Sequence, residues 1–162
     1  MRVPSFFGRI WCLAGWLLLA VAGAAIADGA APMLTLTQGT ESRELTLEQI
    51  EATGLHAVEM RHPEGPAGTF SGVWLNDFLA AQGLEEARRV RFIALDGYTT
   101  FLTPAQRREK RYLLVTRLDD EPVGEASLGP LMLVVPEDAK AAQEGSVPMT
   151  RWIWAIREIS AR

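Results

Sequence analysis

His56 and His62 are the chain's two histidines, with five residues between them and Glu59 among those five. Metal ligation needs imidazoles and carboxylates that converge on one point. This spacing matches no established ligand pattern, and His62 falls in a turn-rich loop, so the sequence predicts no metal site. No serine lies in a nucleophile-elbow context, and no glycine-rich phosphate loop follows a strand and opens a helix. Glu41, Glu44, Glu48, Glu51, Glu85 and Glu86 read as solvated faces, and no glycosidase-type carboxylate pair can be picked out. Gln106–Arg111, QRREKR, is locally basic, with Arg88, Arg89 and Arg91 close in sequence. It reads as a solvated helix end or as a local patch for an anion or an acidic partner. Asp96-Gly97-Tyr98 has the composition of a tight turn followed by an aromatic strand residue. Trp74, Trp152 and Trp154 read as core or edge packing rather than a ligand cage.

These residues depend on a few elements for their positions. The strongest is Val90–Leu102, VRFIALDGYTTFL, where apolar residues flank an Asp-Gly pair. That pattern predicts a hairpin with a two-residue loop, pairing Phe92 with Phe101 on one face. Met33–Gln38 alternates with the period of a half-buried strand, and Glu41–Leu45 continues it after Gly39. Thr46-Leu47-Glu48-Gln49 has a capping-box pattern, predicting a short helix over Thr46–Thr53 closed by Gly54. Leu55–Met60 is a strand, and Arg61–Gly68 a polar, turn-rich loop. Trp74–Gln82 has the spacing of a helix with one apolar face, followed by Gly83; Gly72 is expected to make a tight approach to that helix. Thr103-Pro104 opens another short helix through Arg108. Tyr112–Leu118 is a strand, Leu131–Val135 reads as a central strand, and Arg151–Ile159 as a last strand with Trp152, Trp154 and Ile156 on one face.

The first residues read as an export signal. Arg2 and Arg9 supply a positive region, Ile10–Ala22 is apolar, and Ala25-Ile26-Ala27 offers a cleavage site, so residues 1–27 are the signal and 28–162 one domain. The lack of an arginine pair before the apolar run favours the general secretory route to the periplasm. Cleavage leaves 135 residues without cysteine, since Cys12 goes with the signal. The remaining 14 basic and 20 acidic residues give a net charge of −6, which argues against nucleic acid as a partner. No stretch after the signal is long and apolar enough to span a membrane.

Phe70–Leu79 (Phe-x-Gly-Val-x-Leu-x-Asp-x-Leu), Asp96-Gly97-Tyr98, Gly129–Pro136 (Gly-Pro-Leu-x-Leu-Val-x-Pro) and Arg151–Ile156 follow one another in an order that resembles the oxidoreductase molybdopterin-binding domain, the sulfite-oxidase-like fold. The resemblance is to small exported members consisting of that domain alone. It implies an α+β fold of mixed sheets and short helices. It also implies a pocket near the loop that carries the molybdenum-ligating cysteine in the family's enzymes, here Arg61–Gly68, with the late basic-Trp segment contributing. The ligand-binding candidates are therefore Arg61, His62 and Arg151, which together offer donors to an anionic or carbonyl-bearing ligand, and, beside them, Asp96 and Tyr98. Three departures stand out: the loop has no cysteine, Met132 stands where the enzymes tend to carry arginine, and Arg151-Trp152 replaces Lys-Trp. The expectation is a cofactor-free periplasmic module that binds a small ligand or a membrane-bound sensor or redox protein. The alternative is a molybdopterin-dependent oxidoreductase that holds its cofactor without cysteine; a third reading is a structural subunit.

Overall fold

The computed structural model describes residues 30–162, so the expected signal and its cleavage site lie outside the described residues. Leu34 and Leu36 turn into the core while Thr35 and Thr37 do not, which makes β1 (Pro32–Gln38) a half-buried strand paired with β2 (Glu41–Thr46). Thr46 then caps α1 (Leu47–Glu51) with both bonds of a capping box: Gln49 N–H donates to the Thr46 hydroxyl, and Thr46 N–H donates to Gln49 Oε1 at 2.9 Å. β3 (His56–Arg61) and β4 (Ala67–Trp74) form a hairpin, and β4 runs directly into α2 (Leu75–Ala81), which buries Leu75, Phe78 and Leu79. β5 (Val90–Ala94) and β6 (Thr99–Leu102) follow, then α3 (Pro104–Glu109), started by a second complete capping box between Thr103 and Gln106. The chain closes with β7 (Leu113–Leu118), β8 (Glu121–Pro122), β9 (Met132–Val134), α4 (Ala139–Gln143) and β10 (Ile156–Ala161).

The strands form two sheets, and the architecture is mixed α+β. One sheet has the order β2-β1-β10-β5-β6, with the last strand of the chain at its centre and parallel to the first. The other has the order β3-β4-β7-β8, with β9 also pairing β7. A single cluster of buried side chains joins the two, including Leu34, Phe92 and Ile159 from one sheet and Phe70, Leu114 and Leu133 from the other. Burial of that apolar surface is the main favourable contribution to folding. Glu51 adds a tie between α1 and β7. Arg117 donates to both of its carboxylate oxygens (2.8 and 3.0 Å), and the Thr116 hydroxyl donates at 2.7 Å. Glu51 is thus an anchor in a two-pronged pair rather than part of a solvated face.

Four sequence expectations are corrected. Ala94 N–H donates to the Tyr98 carbonyl and Gly97 N–H to the Ala94 carbonyl, so the hairpin loop is Leu95-Asp96-Gly97, three residues rather than two. Gly97 closes it at φ +86°, a left-handed conformation that favours glycine, and Asp96 Oδ1 accepts the Tyr98 N–H at 2.9 Å. The register therefore slips by one. Phe92 opposes Thr100 and Phe101 opposes Arg91, leaving Phe92 buried and Phe101 43% exposed on the other face.

Second, the last strand starts at Ile156, not Arg151. The backbone of 151–155 divides its hydrogen bonds between the sheets: Ile153 pairs with Leu133 (2.7 and 3.1 Å), Ala155 N–H donates to Leu128, and Leu95 N–H donates to Ala155. Ala155 turns the chain at φ +54°. Third, Leu131–Val135 is buried throughout but contributes only a three-residue strand, with a ladder to β7 on one side and the single Ile153 bridge on the other. Fourth, Gly72 lies inside β4 rather than at the start of α2. At this register shift the β7 backbone at Leu114 and Val115 occupies the space a Cβ would need.

Candidate ligand-binding site

The site is assembled from three turns. His62 N–H donates to the Pro66 carbonyl (2.9 Å) and Gly65 N–H to the His62 carbonyl (3.1 Å), closing the loop between β3 and β4. That turn sends the His62 ring inward, 1% exposed, and leaves Glu64 at the surface. The ring meets Trp152 and Trp154 edge-on, each with centroids 5.4 Å away at 65° and 90°. Nδ1 accepts the Glu64 N–H at 3.2 Å, which assigns the ring proton to Nε2, and Nε2 is buried without a hydrogen-bond partner. Burial pushes the imidazole down from its ordinary 6.5 to about 4, so His62 is neutral at neutral pH.

In front of the two tryptophans lies a cleft of about 590 Å³, within the size range of small-molecule sites. The hairpin loop supplies Leu95, Asp96 and Tyr98; residues 149–155 supply Met149, Trp152 and Trp154; Glu64 comes from the β3–β4 loop. The irregular backbone of 151–155 is what places both indoles here, because it crosses between the sheets instead of joining one ladder.

Of the residues expected at the site, Asp96 and Tyr98 line the cleft, and His62 stands behind its aromatic wall. Arg61 and Arg151 do not line it. The Arg61 side chain is at the exposed end of β3, and its carbonyl accepts from Gln143 Nε2 at 2.7 Å. Arg151 turns to Glu109 (3.1 Å); the neighbouring Tyr112 hydroxyl and the Glu109 carboxylate favour its charged form. Trp152 is 3% exposed and Trp154 half-buried against the core, both packed on His62 as the packing reading expects, and both also line the cleft. The sequence signal for this was their spacing beside the basic-Trp motif; nothing in it pointed to Glu64. The basic run is dispersed: Arg107 is buried and donates to the Glu85 and Ala87 carbonyls (3.1 and 2.8 Å), Lys110 pairs with Asp138 (2.9 Å), and Arg111 stacks 3.9 Å above Trp74. Burial holds the Arg107 guanidinium below its usual range.

A thiolate-held molybdenum does not fit this donor set. Cys12 is the chain's only cysteine, the inward side chain of the loop is an imidazole closed off by two indoles, and the charged groups facing the cleft are carboxylates that oppose a pterin phosphate. No family model matches this chain. No curated protein matches it.

Proposed function

We propose that this protein is an exported, periplasmic binding module of sulfite-oxidase-like type that works without molybdopterin, taking a small ligand in the Trp152/Trp154 cleft and acting with a membrane-bound sensor or redox protein. The observation that carries this reading is the convergence on one cleft of the turn-rich loop, the Asp-Gly-Tyr hairpin and the late basic-Trp segment, with aromatic walls and no thiolate. Apolar walls with a few placed polar groups suit ligand capture. Export rests on Arg2, Arg9, the apolar run and Ala25-Ile26-Ala27. Among the described residues no helix is long and apolar enough to cross a membrane.

The test is to express the full chain with its own leader, recover it from the periplasm, and analyse intact mass, molybdenum, pterin and the small molecules released on denaturation. The expected result is a chain beginning at Asp28, free of molybdenum and pterin, with a released compound that Trp154→Ala protein lacks. Stoichiometric molybdenum or pterin would instead make the protein an oxidoreductase.

A further inference from the structure

Resting on the binding-module reading, we infer that the cleft selects an organic cation, an alkylated ammonium compound, rather than the anion the arginines of the sequence suggest. The charged side chains lining it are Glu64 and Asp96, and no lysine, arginine or histidine lines it. Neither carboxylate is neutralised: among the described residues Glu64 forms no ion pair, and Asp96 accepts only the Tyr98 N–H, through Oδ1, leaving Oδ2 free. Arg151, the nearest cation in sequence to the tryptophans, is held by Glu109.

The remaining walls suit the same ligand. Trp154 and Tyr98 contribute accessible aromatic rings to the lining, backed by the buried Trp152; the electron-rich faces of such rings attract cations and are used to hold quaternary ammonium groups. Tyr98 is 53% exposed and Leu95 48% exposed at the rim, a large apolar investment for a surface loop. They leave room for the alkyl or aryl body of such a ligand, while Met149 supplies a polarizable, adaptable surface. An anionic ligand would meet two carboxylates and no cationic side chain, with only neutral donors such as the Tyr98 and Thr150 hydroxyls to offset them. A neutral apolar ligand would leave both carboxylates partly desolvated without a partner.

The experiment titrates the exported full domain with choline and benzyltrimethylammonium, following tryptophan fluorescence and heat. Comparisons are 3,3-dimethylbutan-1-ol, the neutral isostere of choline, and benzoate as an anion. Expected are saturable binding of both cations, binding of the neutral isostere weaker by about tenfold or more, and loss of cation binding in Trp154→Ala with retention in Trp154→Phe. Glu64→Gln combined with Asp96→Asn should weaken cation binding by about tenfold and leave thermal unfolding unchanged. Both side chains are exposed, and the amide oxygen introduced by Asp96→Asn can still accept the Tyr98 N–H. Equal binding of choline and its isostere, or no saturable cation binding at about 10 mM, overturns the inference. Benzoate binding abolished by Trp154→Ala overturns the cation assignment while leaving the binding module intact; molybdenum or pterin in the periplasmic protein overturns the module itself.

Discussion

His62 shows how one side chain shapes the site without facing the solvent. Its neutral ring fits edge-on against two indoles, and protonation would place a charge where Nε2 has no acceptor. In the unfolded chain the imidazole binds a proton near pH 6.5, in the folded one only near about 4. Between these values the unfolded state carries more protons, so this contribution to stability is complete above pH 6.5 and is lost as the pH falls toward 4. The loss amounts to at most about 3 kcal/mol. Urea midpoints taken between pH 7 and pH 4 should therefore fall more steeply for wild type than for His62→Phe. Parallel profiles would show that the ring is reached by solvent or an acceptor. Gly72 is restricted in a different way, by the backbone that faces it. Gly72→Val should destabilise by roughly 3 kcal/mol through collision with the β7 backbone, without altering which ligand is bound. An unchanged urea midpoint would contradict this cross-strand approach.

Among the elements, those governed by local chemistry were legible in the sequence. Thr46…Gln49 forms the reciprocal cap its spacing announces, Thr103-Pro104 opens α3 as expected (with a capping box to Gln106 that the reading did not include), and the alternation of β1 and the apolar face of α2 are as expected. Three elements differ from expectation because their geometry is decided by distant partners; besides the shortened Leu131–Val135 strand, two bear on the site. Asp96-Gly97 is compatible with both a two- and a three-residue loop; the choice falls to the longer one, with Phe92 in the core and Leu95 bonded to Ala155. Trp-x-Trp-x-Ile has strand alternation, yet the backbone there serves Leu133 of one sheet and Leu95 of the other. The candidate site was legible in the same degree. Asp96 and Tyr98 could be named from the motif, whereas the capture of Arg151 by Glu109, 42 residues earlier, could not. The loop assignment predicts a specific ranking. A Cβ on Gly97 meets no neighbouring atom, so Gly97→Ala should cost only its left-handed backbone, about 1–2 kcal/mol, and Gly97→Asn distinctly less. Thermal unfolding of the two variants checks the order, and equal costs would mean that Gly97 does not hold a left-handed turn.

The whole molecule is bound together at its C-terminal end. β10 occupies the centre of one sheet, and the segment just before it pairs Ile153 with Leu133 of β9, so the last stretch of chain engages both sheets. The buried cluster is continuous across them, and the Glu51–Arg117 pair ties α1 to β7. Two sheets sharing one core and one connecting segment should unfold together. In urea, the far-UV circular dichroism of a protein comprising residues 28–162 and its tryptophan fluorescence, from Trp74 on β4 and from Trp152 and Trp154 in the connection, are expected to change at one midpoint, unaffected by chelators. Ile153→Pro removes the N–H that donates to Leu133 and should lower that midpoint while also dispersing the cleft's aromatic wall. A cation bound at the wall should raise the wild-type midpoint and lose that effect in the proline variant, because its binding stabilises only the state in which the connection is formed. Separate midpoints for the two signals in wild type would mean that the sheets fold as independent units and that the connection carries ligand contacts alone.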